Sequence, residues 1–139
     1  MYHVVGEGSN QAGLLFSGDI LFNGGCGRFF EGTAADMVKA LGSLRSLPKD
    51  TLVYCGHEYT ISNMEFAAAI EPSNELVVKC LQDYREMIKS GKYTVPFQLG
   101  HQFMINPFLR VETKEMQEVT GCDTPVDVMH ALREMKNSF

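Results

Sequence analysis

The stretch Phe16-Ser17-Gly18-Asp19-Ile20-Leu21-Phe22 decides how this chain is read, together with Gly25-Cys26-Gly27-Arg28-Phe29-Phe30-Glu31-Gly32-Thr33 and Tyr54-Cys55-Gly56-His57-Glu58-Tyr59-Thr60. Two apolar runs each stop at a glycine, Gly18 and Gly56, and the next residue is a carboxylate or an imidazole. Glycine lets the backbone turn where other residues cannot, so the polar side chain after it is presented at a sheet edge. Asp19 and His57 placed in this way have the character of metal ligands. They make only part of a site, because a catalytic zinc takes about three protein ligands with one position left for water, and a dinuclear centre takes more. The chain has four histidines, and none is paired at His-x-His or His-x-x-x-His spacing. His3, His101 and His130 lack such a context and are assigned no metal.

Outward from this stretch, Tyr2 to Val5 and Leu14 to Phe22 read as strands of a hairpin, joined by a polar turn containing Gly6, Gly8, Ser9 and Asn10. Thr33 is a good N-cap for a helix through Asp36, Met37, Ala40, Leu41 and Leu44, which Pro48 ends. Thr51 to Cys55 is a short apolar strand. The order strand, helix, strand predicts an α/β layer. From Ser62 the pattern turns helical. A short helix spans Asn63 to Ile70 and stops at Glu71-Pro72. Ser73 caps a longer one with Leu76, Val77, Cys80, Leu81, Tyr84 and Ile88 on one face. Thr94 to Arg110, with Pro96 and Pro107, reads as an ordered surface loop, and helices follow over Lys114 to Val119 and Pro125 to Asn137. No internal repeat or low-complexity tract occurs.

At 139 residues and 45% hydrophobic content the chain can bury a core. Its net charge of -5 argues against a nucleic acid or an anionic membrane as partner. No apolar run reaches the roughly 20 residues that cross a bilayer, and no basic segment followed by an apolar stretch opens the chain. Cys26, Cys55, Cys80 and Cys122 lack Cys-x-x-Cys spacing and read as reduced thiols. Cys26 and Cys55 are expected to act as compact apolar residues under the glycine-rich loop.

The quoted segments closely resemble glyoxalase II, the hydroxyacylglutathione hydrolase family of the metallo-β-lactamase superfamily. The resemblance extends from Leu14 to the C-terminus through Ala67 to Pro72, Asn106-Pro107-Phe108-Leu109-Arg110, and a closing helix with Arg133 and Lys136. It implies an α/β fold, the C-terminal half of an αββα sandwich over residues 1–61, followed by a small α-helical glutathione-binding domain over 62–139. The family's upstream Thr-His-x-His-x-Asp-His motif and one further His are not in this sequence. A truncated form, inactive alone and lacking an N-terminal half as its partner, is therefore expected.

The resemblance implies hydrolysis of S-2-hydroxyacylglutathione thioesters, such as S-D-lactoylglutathione, in the cytoplasm or the mitochondrion. It also implies two divalent metal ions in the complete enzyme, zinc first, with iron and manganese as alternatives. Asp19 would bridge the two metals and His57 would be a terminal ligand, which makes both catalytic. Arg28 stands where the family has Lys, and Phe30 where some members have Tyr. Arg28, Tyr59, Arg133 and Lys136 would hold the glutathione moiety, with the last two, three apart on one helix face, taking its glycine carboxylate. An alternative from another class is a non-catalytic glutathione-binding or interaction module derived from such an enzyme. Another hydrolase of the same superfamily is disfavoured by the helical tail.

Overall fold

Alternation in Leu14-Leu15-Phe16-Ser17 gives a half-buried strand, and the computed structural model, which describes residues 1–5 and 13–139, shows it as such. Strand β1 (Tyr2–Val4) pairs antiparallel with β2 (Leu14–Gly18), Tyr2 opposite Phe16. The expected turn between them lies outside the described residues. The strand expected to run from Leu14 to Phe22 breaks at Gly18, whose φ of 54° only glycine adopts freely. Leu21 and Phe22 instead form β3 (Leu21–Phe22), paired with β4 (Gly25–Cys26) in a separate two-stranded sheet. Asn23-Gly24 joins these two strands, with Gly24 at φ 72°, and Asn-Gly is a strong short-hairpin signal that the sequence reading passed over.

Thr33 caps helix α1 (Ala34–Gly42) in a capping box. Its hydroxyl accepts from the Asp36 N–H at 3.2 Å, and the Asp36 carboxylate accepts from the Thr33 N–H at 2.9 Å. A 3-10 turn over Ser43–Ser46 prolongs it to Pro48. Strand β5 (Leu52–Cys55) then lies parallel to β2, as a strand, helix, strand crossover requires.

Helix α2 (Thr60–Ile70) begins earlier than expected, directly after the His57 turn. The next helix, α3 (Glu75–Lys89), is capped by Asn74 and not by Ser73, because the Asn74 amide oxygen accepts from the Val77 N–H at 3.3 Å. Leu76 and Ile88 are exposed, so the buried stripe of α3 is the narrower Val77, Cys80 and Leu81.

The segment expected as a surface loop from Thr94 to Arg110 is instead ordered structure at the heart of the molecule. It forms β6 (Phe97–Gln98), antiparallel to β5, then helix α4 (Leu99–Ile105) and a 3-10 turn over Pro107–Leu109. Pro96 precedes a strand and Pro107 opens a turn, positions that proline tolerates. Between them Leu99, Gln102, Ile105 and Asn106 are fully buried. Helices α5 (Lys114–Thr120), stopped at Gly121 in the left-handed region, and α6 (Pro125–Ser138) complete the chain.

The larger sheet has the order β1-β2-β5-β6. One apolar cluster joins Leu15 and Val53 of that sheet to Leu41 of α1, Phe66 of α2, Phe108, and Leu132 of α6, and a second lies between α2 and α3 around Met64, Ala67 and Val77. The outer face of the sheet exposes Tyr2, Val4, Leu14 and Phe16, the last stacked on Tyr54 at 5.4 Å. No helix among the described residues is long and apolar enough to cross a membrane.

The Glu71 carboxylate at the end of α2 and the Arg110 guanidinium form a two-pronged ion pair, with side chains only 7% and 11% exposed. Removing one partner leaves a buried charge without its counter-ion. Arg110→Leu is expected to lower stability by about 3–5 kcal/mol, and Glu71→Leu with Arg110→Leu by less. Urea unfolding measures both, and a double variant as unstable as the single one contradicts the expectation.

Candidate functional site

The site is built where β2 and β5 end. The Gly56 N–H donates to the Gly18 carbonyl at 2.9 Å, which draws the two strand ends together. The residues that follow, Asp19 and His57, then face each other with Oδ1 and Nε2 3.6 Å apart, both side chains more than half exposed. Two glycines permit this approach. A Cβ on Gly56 would lie 2.5 Å from the Asp19 carboxylate, and one on Gly27 would lie 2.0 Å from the Asp19 carbonyl oxygen. His57 stacks on Tyr59 at 5.0 Å with 14° between the rings, and Phe22 meets Tyr59 edge-on at 5.2 Å.

Glu58, between the two stacked residues, turns away from them. Its carboxylate accepts from the Thr94 hydroxyl at 2.6 Å, and Thr94 in turn bonds the Thr60 hydroxyl at 2.6 Å. Burial works against the Glu58 charge, but the Thr60 and Thr94 hydroxyls and backbone N–H groups outweigh it and hold the acid below its ordinary pKa. The His57 turn is thereby tied to the segment ahead of β6.

Helix α6 supplies the opposite wall. Arg133 is buried; its Nη1 donates to the Cys26 carbonyl at 2.9 Å and its Nε to Asn137 Oδ1 at 3.1 Å. Lys136 Nζ donates to the Ser62 carbonyl at 2.7 Å and hydroxyl at 2.9 Å. Burial lowers the pKa of both cations, and for Lys136 the neighbouring Arg133 charge adds to the effect. Burial pushes the Cys26 thiol up to about 12 despite the opposing Arg133 charge, so it stays protonated at neutral pH and is no nucleophile.

All six residues singled out by sequence, Asp19, Arg28, His57, Tyr59, Arg133 and Lys136, line one cavity of about 760 Å³. Its walls also include Ser62 and Asn63, which sequence reasoning missed. The available signal was helical spacing: they stand three and four residues after Tyr59, on the side of α2 nearest to it. His3, His101 and His130 do not line this cavity.

Among the described residues no three His, Cys, Asp or Glu side chains come together as a metal would require. Asp19 and His57 are suitable donor types, but a pair falls short of the roughly three protein ligands of a catalytic zinc. The residues present therefore do not make a metal centre by themselves.

The family model described as "Hydroxyacylglutathione hydrolase C-terminus" matches residues 58–139. "Hydroxyacylglutathione hydrolase cytoplasmic" of Arabidopsis thaliana is 45% identical over 140 residues, which cover 99% of this chain and 54% of that protein. "Hydroxyacylglutathione hydrolase-like protein" of Gallus gallus is 48% identical over 139 residues, covering 99% and 49% respectively. "Hydroxyacylglutathione hydrolase" of Gloeothece citriformis is 41% identical over 138 residues, with 99% and 54% covered. The chain spans about half the length of the curated relatives it matches.

Two outcomes follow from the packing around Asp19. Gly27→Ala drives a Cβ against backbone and is expected to cost about 1–3 kcal/mol, whereas Gly56→Ala presses chiefly on the Asp19 carboxylate, which can turn aside, and costs less. Thermal unfolding of the two variants checks the order. Iodoacetamide at about pH 8 is expected to leave Cys26 unmodified in the folded protein while modifying it after denaturation, as read by peptide mass spectrometry.

Proposed function

This chain belongs to the hydroxyacylglutathione hydrolase family, and on that premise we propose that it forms the substrate-holding part of an enzyme hydrolysing S-2-hydroxyacylglutathione thioesters, such as S-D-lactoylglutathione, to glutathione and a 2-hydroxy acid. The observation that carries the reading is that one cavity is lined both by an acid–imidazole pair and by three cations, Arg28, Arg133 and Lys136. Glutathione carries two carboxylates, and cations are the groups that recognise them.

In hydrolysis a water oxygen bonds to the thioester carbon, the C–S bond breaks, and the thiolate leaves with the electron pair. The role of this chain's residues is placement. Lys136 and Arg28 take carboxylate oxygens, and Arg133, within the cavity wall and only 6% exposed, adds its charge while bracing the Cys26 carbonyl. Tyr59, stacked on His57, offers a hydroxyl and a flat apolar face beside the thioester. The acyl end then lies toward Asp19 and His57. A metal centre at that end takes donors beyond these two residues.

The same reading accounts for the apolar outer face of the larger sheet, with Leu14 and Phe16 exposed. In an αββα sandwich this face is covered by a second sheet. Residues 1–61 would then belong to the α/β layer and 62–139 to the glutathione-binding helices.

Titration calorimetry with S-methylglutathione, a thioether that cannot be hydrolysed, tests the cavity. Each charge-assisted hydrogen bond is worth about 1.5–3 kcal/mol. Lys136→Ala is therefore expected to weaken binding about 10- to 100-fold. No binding by the unaltered chain would remove the proposal. Turnover of S-D-lactoylglutathione is expected when the chain is fused behind a segment carrying the His-x-His-x-Asp-His motif and to be lost in Asp19→Ala of that fusion. Turnover retained in the Asp19→Ala fusion would show that this carboxylate does not serve the reaction.

A further inference from the structure

Four buried amide side chains, Asn23, Asn63, Gln102 and Asn106, converge on the hairpin of β3 and β4, and three of them, Asn23, Gln102 and Asn106, do not line the cavity. Gln102 Oε1 accepts from the Gly24 N–H at 2.8 Å, and its Nε2 donates to Asn23 Oδ1 at 2.7 Å. Asn106 Nδ2 donates to the Gly25 carbonyl at 3.0 Å. Asn63 Nδ2 donates to the Asn23 carbonyl at 3.1 Å, and Asn23 Nδ2 to the Thr94 carbonyl at 3.3 Å. The hairpin also seats against α2 with no room to spare, since a Cβ on Gly25 would lie 2.6 Å from Asn63 Cγ.

A satisfied buried amide adds little net stability compared with an apolar side chain of the same shape. What a fully connected polar cluster supplies is one backbone arrangement in place of several. Here the fixed backbone leads straight into the cavity wall. The next residues are Cys26, whose carbonyl receives Arg133, then Gly27 against the Asp19 carbonyl, then Arg28 in the cavity.

Resting on the reading of the cavity as a glutathione thioester site, we infer that Gln102, acting with Asn23 and Asn106, is a positioning residue for substrate binding. It holds the Asn23–Gly25 backbone so that Arg28 and the Cys26 carbonyl stand at the separation from Asp19 and Arg133 that the ligand needs. Displacement that breaks one charge-assisted hydrogen bond to the ligand costs about tenfold or more in affinity.

The test compares Gln102→Met, similar in size but without the amide, with Met116→Ala, which opens the apolar core in α5 and leaves the cluster alone. Binding of S-methylglutathione is measured by calorimetry, thermal unfolding gives the stability loss of each variant, and NMR follows the Gly24, Gly25 and Gly27 amide resonances. The expected result is that Gln102→Met moves those resonances and weakens binding about tenfold. Met116→Ala, at a comparable loss of stability, should bind as the unaltered chain does. Unaltered binding by Gln102→Met, or an equal loss in Met116→Ala, overturns the inference. Should the unaltered chain not bind the probe, the function reading fails. The role in substrate binding falls with it, and only the hold on the cavity wall is left to decide at Gly27, whose backbone no hydrogen bond joins to Gln102: a Gly27 resonance moved in Gln102→Met only keeps that hold, and an unmoved one removes it. Asn23→Ser, which withdraws the bonds to Gln102 and Thr94 with a smaller change, is judged by the same criteria should Gln102→Met not fold.

Discussion

Three stretches of chain meet around Asp19 closer than side-chain carbons allow, and the site depends on that contact. Gly18 turns the chain out of β2, Gly56 bonds to it from the end of β5, and Gly27 lies against the Asp19 backbone. The glycines serve two purposes: a positive φ at Gly18, and absence of bulk at the other two. With any of the three blocked, His57 and Asp19 could not face each other at 3.6 Å while Arg28 stands beside them.

Electrostatics add a second constraint. The chain as a whole is acidic, at -5, yet Arg28, Arg133 and Lys136 gather on one cavity. Burial strips these cations of hydration, and their mutual repulsion adds to it, so both effects lower the pKa of Arg133 and Lys136. Neutral acceptors, the Cys26 carbonyl and Ser62, hold them in place without cancelling the charge. Both cations thus stand on a wall that also carries the carboxylates of Asp19 and Glu65, and neither is neutralised by them through a direct ion pair.

Much of this could be read from the sequence where the cause is local. Glycine followed by a polar residue at a strand end, the Thr33 capping box and the apolar spacing of α1 each depend on neighbours a few residues away. Where the cause is distant, the sequence carries no local mark of it. Asn106 and Gln102 look like loop or surface residues, because amides near prolines usually are; they are buried because their partners stand 81 and 79 residues earlier at Gly25 and Asn23. Arg133 was legible as half of a cationic pair on α6, but nothing in its surroundings in sequence announces the carbonyl 107 residues back that it bonds. The Asn23-Gly24 hairpin is a different case, a local signal that was present and passed over.

The packing of α6 also bears on how the protein comes into being. Val128, Met129 and Leu132 are fully buried and share one cluster with Leu15 and Leu21, more than a hundred residues earlier. A ribosome delivers about 5–20 residues per second, so the first strands wait several seconds for the helix that closes their core. The core around Leu15 and Leu21 is therefore completed only once α6 has been made, which sets an order on folding that the strands alone cannot reach.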